Sequence, residues 1–395
     1  MDDSRSEIAM RFPLAFRQRL HQRGKRDMYE QLTGYLFIAP AVLLIALFGL
    51  FPLGYAFYMS LHRWRVQREA FIGFKNYFQI VGEGSGALTF CAGLALLALA
   101  CGAWNRLYRS SGRHRGIGLF ACMTLLIGGG LGIVVGWSRM AVAGDVKFLH
   151  AIPVTLYYAL GSIPIQLVLA LSLAYILFQN LRGTAFFRMV FFLPYVMPTV
   201  ATATVFRTIF SPRDTSLANQ VLALVGLQPQ QWLADPRPLL EVLFDWHVSG
   251  VWAGPSLALV CIIAFGVWTF VGYNVVIFLA GLSTISPSLY ESARLDGAND
   301  WHLFRYITLP LLSPVTFYLA LIDFIGALKA FNHIFVMRTP LAQDTVNTAS
   351  VVIFDTFYKA NKFGYAAAQV ILLFLMILGV TYVPYKVFGR RVIYD

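Results

Sequence analysis

The polar side chains that could do chemistry in this sequence stand inside long apolar runs. One run carries Asp323, Lys329, Asn332 and His333, whose charges and hydrogen-bonding groups can bind a polar solute. A charge inside a membrane costs about 2.5 to 3.5 kcal/mol on insertion scales, so Asp323 is expected to face a cavity or a protein partner. In a continuous helix Lys329 and His333 share a face, whereas Asp323 points elsewhere, so we expect no ion pair between Asp323 and Lys329.

A neighbouring run, VWTFVGYNV, places Trp268, Tyr273 and Asn274 at a comparable depth. Aromatic faces and amides suit a neutral sugar, whose hydroxyl groups need hydrogen bonds and whose ring CH groups need apolar contact. Packing between helices is the alternative for each of these residues. Tyr365 and Gln369 in the last apolar run are further candidates for contact with a solute.

Sequence motifs of enzymes are missing. No G-x-x-x-x-G-K-[ST] phosphate loop occurs, and neither H-E-x-x-H, G-x-S-x-G nor a Cys/His cluster is present. We therefore predict no catalytic residue, no metal site and no cofactor in this chain. The four cysteines lie in apolar runs and are expected to be small buried hydrophobes: Cys91, Cys101, Cys122 and Cys261.

The elements that must position these residues are transmembrane helices. Hydrophobic residues make up 58% of the 395 residues and charged residues only 13%, which indicates an integral membrane protein. A hydrocarbon core about 30 Å thick needs roughly 20 apolar residues per helix. On that measure the sequence predicts an all-α protein with about eight spans, near 33–60, 86–104, 117–137, 152–178, 187–211, 254–282, 311–336 and 366–388.

Lys and Arg outnumber Asp and Glu by 31 to 19. No basic stripe with interleaved aromatics is present, so the expected partner is the lipid bilayer and not nucleic acid. The positive-inside rule favours cytoplasmic termini, which makes the basic arm 1–32 and the tail 390–395 cytoplasmic; the first span is expected to stay as an anchor. One predicted outside loop, HRWRVQREAFIGFKNY at 62–77, carries four cations against this rule.

Glycines mark the second and third spans. LIGGGLGIVVGW places Gly128, Gly132 and Gly136 four residues apart, and such a ridge of small residues lets another helix approach closely. Residues 86–137 are therefore predicted to form an additional hairpin at the edge of the protein. Ordinary hairpin packing without a separate role is the alternative.

The stretch SPSLYESARLDGANDWHLFRYITLP at 286–310 is a polar interruption between two apolar runs. Ser286 can cap a helix that begins at Pro287, and Gly297 can take the left-handed conformation that ends it. Asn299 or Asp300 can cap a second helix. Small exposed residues on such a helix fit a groove on a partner protein, while an amphipathic loop lying on lipid headgroups is an equal alternative from spacing alone.

This stretch resembles the cytoplasmic loop of binding-protein-dependent ABC importer permeases, whose pattern is EAA, three residues, G, nine residues, then I-x-L-P. The pattern matches throughout except that serine replaces the second residue, which is one small side chain for another. By this resemblance the loop couples to an ATPase through Glu291, Ser292, Ala293, Asp296, Gly297, Ile307, Leu309 and Pro310.

Other stretches are similar to the carbohydrate branch of that family, of the maltose and glycerol-phosphate type, including FRMVFFLPYVMPTVATATVF and FGYAAAQVILLFL. The sequence departs from it after Met337, where the family often has T-x-G-G-P and this chain has RTPL. The resemblance implies a type I importer fold with a six-span core. Its domains would be the first span 33–60, the additional hairpin 86–137, and the permease core 150–389 with the coupling loop 286–310.

The resemblance also implies a function: a permease subunit, itself no enzyme, that imports a sugar or glycerol phosphate by alternating access across a bacterial or archaeal cytoplasmic membrane. Its partners would be a second permease, an external solute-binding protein and a pair of ATPase subunits that bind ATP and Mg. A stand-alone secondary transporter driven by an ion gradient is the alternative. Asp323 fits that alternative, but no repeat relates the two halves of the sequence. A membrane anchor or sensor would leave Asp323 unexplained.

Overall fold

A computed structural model describes residues 31–82, 84–108, 115–179, 182–247 and 253–388. The predicted tail 390–395 and nearly all of the arm 1–32 lie outside the described residues. Apart from one antiparallel hairpin of two strands, the described chain consists of helices and turns, which confirms the all-α prediction. The elements are α1 (Gln31–Ser60), β1 (His62–Trp64), β2 (Arg68–Phe71), α2 (Lys75–Val81), α3 (Gly84–Tyr108), α4 (Arg115–Ala143), α5 (Val146–Phe178), α6 (Thr184–Val196), α7 (Thr199–Ile209), α8 (Leu217–Leu224), α9 (Leu239–Phe244), α10 (Leu257–Leu282), α11 (Pro287–Leu295), α12 (Asp300–Leu311), α13 (Ser313–Leu328), α14 (Asn332–Met337), α15 (Gln343–Val346), α16 (Ala349–Phe354) and α17 (Phe363–Phe388).

The chain divides into two compact units, the first ending at Met59 and the second beginning at Ser60. The first contains the apolar helix α1 except for its last residue, Ser60, and this helix has one wider turn at Ala46–Leu50. Among the described residues, six helices are long and apolar enough to cross a membrane, and eight if each of two bent helix pairs counts as one span. The predicted number of spans is therefore confirmed.

Helices α5 and α10 pack together in the centre of the second unit. Each begins at a side-chain cap: Asp145 accepts two backbone N–H groups at the start of α5, and Ser256 accepts one at the start of α10. Gly266 lets the helices approach, because a Cβ there would lie 2.5 Å from the Tyr158 hydroxyl. Tyr158 and Phe265 are fully buried in this core, so α5 and α10 form the scaffold for the elements around them.

Two predicted spans are bent rather than continuous. The span predicted at 187–211 is divided into α6 and α7, whose axes meet at 93°; Pro198 lies in the break, and a proline disfavours the helical conformation of the residue before it, here Met197. The span predicted at 311–336 bends by 60° before α13 and stops at Leu328. Pro314 at the start of α13 has no N–H to continue a helix from α12. The prediction of two continuous helices was therefore wrong.

Helices α3 and α4, which cover the described residues of the predicted hairpin, pack against each other at glycines. A Cβ on Gly136 of α4 would lie 2.5 Å from the backbone of α3, and a Cβ on Gly93 of α3 would lie 2.7 Å from the backbone of α4. Gly132 and Gly129 also face α3, whereas Gly128 meets nothing within 4 Å. The predicted ridge was wrong in its first member, because residues eight apart on a helix diverge by about 80° while the 3.6-residue period returns positions 129, 132 and 136 to one side.

The cysteines differ in burial. Cys122 and Cys261 are buried, as predicted, but Cys91 and Cys101 are exposed on α3. The prediction of four buried cysteines was therefore wrong for two of them. A cysteine side chain is apolar enough to face lipid tails from a membrane-spanning helix, so an apolar run alone does not imply contact with protein.

The two ends of the helix bundle are fixed by contacts of α5. Near its end, Tyr175 stacks edge-on against Phe304 of α12, with 4.9 Å between ring centroids. At its start, Asp145 accepts hydrogen bonds from Tyr365 (2.9 Å) and Gln369 (3.0 Å) of α17. The start of α17 therefore lies at the end of the bundle opposite the 286–310 loop, where these two candidate solute residues join helices together.

Candidate coupling loop and solute cavity

The 286–310 loop consists of two short helices, α11 and α12. Helix α11 begins at Pro287. Proline lacks an N–H, which costs nothing at this first position because an N–H there has no acceptor within the helix. Ser286 occupies the predicted cap position, but its hydroxyl contacts that of Ser288 at 2.8 Å instead of a backbone N–H. The start of the helix is thus confirmed, while the predicted capping hydrogen bond is not formed.

Gly297 ends α11 in the left-handed conformation, with φ of +87°, as predicted. The N–H of Ala298 donates to the carbonyl of Ala293 (2.9 Å), and the N–H of Gly297 donates to that of Arg294 (3.0 Å). These two bonds satisfy carbonyl groups that the end of a helix leaves without partners. The turn therefore depends on a residue that tolerates a positive φ.

The second helix is capped by Asn299, whose side chain accepts the backbone N–H of His302 at 2.9 Å. Of the two predicted caps, Asn299 and not Asp300 takes this role. The hydroxyl groups of Tyr290 in α11 and Thr308 in α12 lie 3.0 Å apart. This hydrogen bond connects the two helices, so the loop can move as one piece.

Half of the residues assigned to the ATPase contact are exposed and half are partly buried. Large apolar side chains are exposed beside them: Leu295 is 90% exposed, Trp301 65% and Tyr306 70%. Exposed apolar groups of this size next to polar ones are typical of a surface that a partner covers. The exposed coupling residues are Glu291, Ser292, Asp296 and Gly297, and the half-buried ones are Ala293, Ile307, Leu309 and Pro310.

A cavity of about 360 Å³ lies between α5, α6, α10, α13 and the turn before α14. This volume is within the range of about 300 to 1,000 Å³ that is usual for small-molecule sites. We refer to it as the solute cavity. Five of the nine candidate residues line it: Tyr273, Asp323, Lys329, Asn332 and His333.

Two candidates on α10 lie outside the lining. Asn274 is fully buried and donates to the Asp323 carboxylate at 2.7 Å, so it orients a residue of the cavity. Its own carbonyl oxygen has no hydrogen-bond partner among the described residues. Trp268 packs against Phe206 (4.9 Å between ring centroids) and Phe265, away from the lining.

Lys329 and His333 reach the cavity by different routes. His333 is buried, with its Nε2 atom 2.8 Å from the Tyr158 hydroxyl, whereas Lys329 is exposed in the turn after α13. Their predicted shared helical face was wrong because the helix ends between them. Within the described part of the chain, no carboxylate, Asp323 included, lies at ion-pair distance from the Lys329 ammonium.

Sequence reasoning missed five further polar residues of the cavity. Tyr158, Ser162 and Gln166 line it from α5, and their spacing of four residues was the signal that could have identified one polar helix face. Tyr195 and Thr199 line it from either side of the break between α6 and α7. These two could not be identified while the span was treated as continuous.

The departure from the family pattern after Met337 has a structural role. Arg338 donates to Asp355 at 2.8 and 3.1 Å and to Asn347 at 3.2 Å, and its guanidinium lies 4.3 Å from the centre of the Phe335 ring. Burial disfavours the charged form of Asp355, but the hydrogen bonds from Arg338 and Lys359 outweigh it and hold the pKa of Asp355 below its usual value of 3.8. Arg338 thus connects the segment after α14 to the turn after α16.

A mainly helical fold with six to eight apolar spans among the described residues, an exposed loop at one end and a polar cavity among the helices is typical of a multi-pass membrane protein. The family model described as "Binding-protein-dependent transport system inner membrane component" matches residues 166–394. The chain belongs to this family. Among the described residues, no group of three or more His, Cys, Asp or Glu could hold a metal ion.

The curated relatives that the chain is similar to include carbohydrate permeases, which agrees with the resemblance seen in the sequence. The arabinooligosaccharides permease AraP of Bacillus subtilis is 28% identical over 371 residues, which are 93% of each chain. The lactose permease LacF of Rhizobium radiobacter is 26% identical over 93% of this chain and 98% of its own. Among solved structures, a bacterial ABC transporter involved in the import of the acidic polysaccharide alginate matches with a TM-score of 0.61 at 18% identity, covering 92% of this chain and 99% of that one. This last match shows the fold.

Proposed function

We propose that this chain is the permease subunit of an ATP-driven importer that takes up a sugar delivered by an external solute-binding protein. The observation that carries the proposal is the 286–310 loop, which combines an exposed surface with a glycine turn at one end of the bundle. In this arrangement ATP and Mg bind to partner ATPase subunits, a second permease completes the pathway, and both termini are cytoplasmic. Residues 150–389 form the permease core, and 86–137 form an additional hairpin.

The connections of the loop supply a mechanism for coupling. The hydrogen bond between Tyr290 and Thr308 joins α11 to α12, and α12 leads directly into α13, which carries Asp323. A displacement of the loop by a closing ATPase pair would therefore shift α13 relative to the α5 and α10 scaffold. Because the solute cavity lies between these helices, such a shift changes its access from one side of the membrane to the other.

The solute cavity has the chemistry that a sugar requires. The carboxylate of Asp323 accepts hydrogen bonds from hydroxyl groups, the amide of Asn332 donates and accepts them, and the rings of Tyr273 and Phe270 offer apolar faces. The names of the curated relatives, which include arabinooligosaccharides and lactose permeases, support a sugar as the solute. The family match does not favour a stand-alone secondary transporter.

The test is to extract the chain from its native membrane in mild detergent and to identify the accompanying proteins by mass spectrometry. We expect an ATPase, a second permease and a binding protein, and the purified complex in liposomes should take up sugar only with ATP. Asn332→Ala should lower uptake at least fivefold while the same proteins still copurify. A chain that is isolated alone and transports in an ion gradient without ATP would disprove the proposal.

A further inference from the structure

A second and larger cavity, of about 1,260 Å³, lies at the end of the bundle opposite the 286–310 loop. We refer to it as the polar basin. Its walls come from three separate segments of the second unit: 62–79, 144–150 and 343–365. It shares no lining residue with the solute cavity, although helix α5 lines both, so it is a distinct site.

The polar basin carries an excess of positive charge. Six Lys and Arg residues and three Asp residues line it, which gives the lining a net charge of +3. Two of the three carboxylates are already engaged: Asp145 by Tyr365 and Gln369, and Asp355 by Arg338 and Lys359. Four exposed cations of the lining have no carboxylate at ion-pair distance among the described residues: Arg65, Lys75, Lys147 and Lys362.

The basin also accounts for the loop whose charges oppose the positive-inside rule. If the termini are cytoplasmic, residues 62–77 lie on the external side of the membrane, where loops contain fewer Lys and Arg residues. Three of the four cations of this loop, Arg63, Arg65 and Lys75, line the basin. Cations concentrated in a concave site attract an anionic ligand by their combined field, and such a ligand gives a reason for their presence on this side.

The neutral groups of the lining suit a saccharide. Trp64 supplies an aromatic surface, and Gln79, Gln343 and Asn347 supply amides. The volume exceeds the usual range of about 300 to 1,000 Å³ for small-molecule sites, which favours an oligomer over a single sugar. Lys329 in the solute cavity is a further cation with no carboxylate at ion-pair distance among the described residues, so another positive charge lies in the cavity that helix α5 shares with the basin.

We propose that the polar basin binds an acidic saccharide, meaning an oligosaccharide that carries carboxylate groups, before it enters the membrane. This inference rests on the proposed import function and specifies its substrate class. A solute-binding protein would approach from this same side, but the cations come from all three walls of a concave site, an arrangement that suits a small charged ligand surrounded by them.

The test measures binding of tetragalacturonate to the complete purified complex without its binding protein, with maltotetraose as a neutral oligosaccharide of equal length. We expect tetragalacturonate to bind and its affinity to fall as salt rises, whereas maltotetraose should bind at least tenfold more weakly. The double variant K147E/K362E reverses two exposed charges of the basin and should weaken tetragalacturonate binding at least tenfold. Arg213→Glu reverses an exposed charge outside the basin and should leave it unchanged.

Three results would overturn the inference. One is equal binding of the two tetrasaccharides, and another is unchanged tetragalacturonate binding by the double variant. The third is a double variant that loses only its affinity for the solute-binding protein, which would make the basin a docking surface for an acidic face of that protein. If the complex imports a neutral oligosaccharide with ATP and fails to bind tetragalacturonate, the import function stands and the acidic substrate class does not.

Discussion

Replacing Gly297 with valine tests whether the turn of the 286–310 loop transmits motion. The φ of +87° at Gly297 costs an L residue about 1 to 2 kcal/mol, and a β-branched residue more. If the turn instead rearranges, it loses two backbone hydrogen bonds worth about 1 kcal/mol each. Either route costs about 2 kcal/mol, which lowers the population of the native turn about 30-fold.

The variant isolates the backbone conformation, because a Cβ on Gly297 meets nothing within 4 Å. Expression and assembly of Gly297→Val should therefore match those of the native chain. In proteoliposomes, the amount of sugar imported per ATP hydrolysed should fall at least tenfold while ATP hydrolysis continues. Gly297→Asn is the matched control, since asparagine tolerates the left-handed conformation, and it should keep most of the coupling. Native coupling in Gly297→Val would refute the reasoning.

Three further predictions concern the hairpin, the Arg338 contact and the solute cavity. Gly136→Ala should lower the melting temperature of the complex because its Cβ would meet the backbone of α3, whereas Gly128→Ala should be neutral or stabilising; equal effects would contradict the packing. Arg338→Met should cost about 2 kcal/mol at neutral pH. Because the folded pKa of Asp355 is lowered, that loss should be constant above pH 5 and shrink below about pH 4, as melting scans at several pH values can show. Asn274→Leu should leave assembly unchanged but lower uptake, because Asp323 loses the hydrogen bond that orients its carboxylate. Normal uptake would show that Asn274 has no role in transport.

The turn chemistry of the loop could be predicted because its signals are local. Pro287, Gly297 and Asn299 each act on the backbone within four residues, and the structure places all three in the predicted positions. Ser286 is the exception, since its hydroxyl had a second hydroxyl within reach at Ser288. A choice between two nearby partners depends on side-chain geometry that the order of residues does not specify.

The breaks in the fifth and seventh spans show where hydropathy fails. A window of apolar residues reports the length of a span and not its direction, so 187–211 and 311–336 each looked like one helix. Pro198 and Pro314 mark both bends, but proline is also tolerated inside membrane helices when neighbours satisfy the freed backbone groups. Indeed, α5 contains Pro153 and Pro164 and continues through both. Whether a proline breaks a helix is decided by what packs around it.

The sequence by itself determined the class of the protein, because burying apolar runs in lipid and closing a turn with glycine depend on neighbouring residues alone. Only the tertiary structure decided which polar groups meet. It brought Tyr158, Asp323 and His333 to one cavity, placed Asn274 behind Asp323, and collected the cations of three distant segments in the polar basin. Such contacts between residues distant in the sequence depend on the distance and rotation between helices, which are set by the close packing of their side chains.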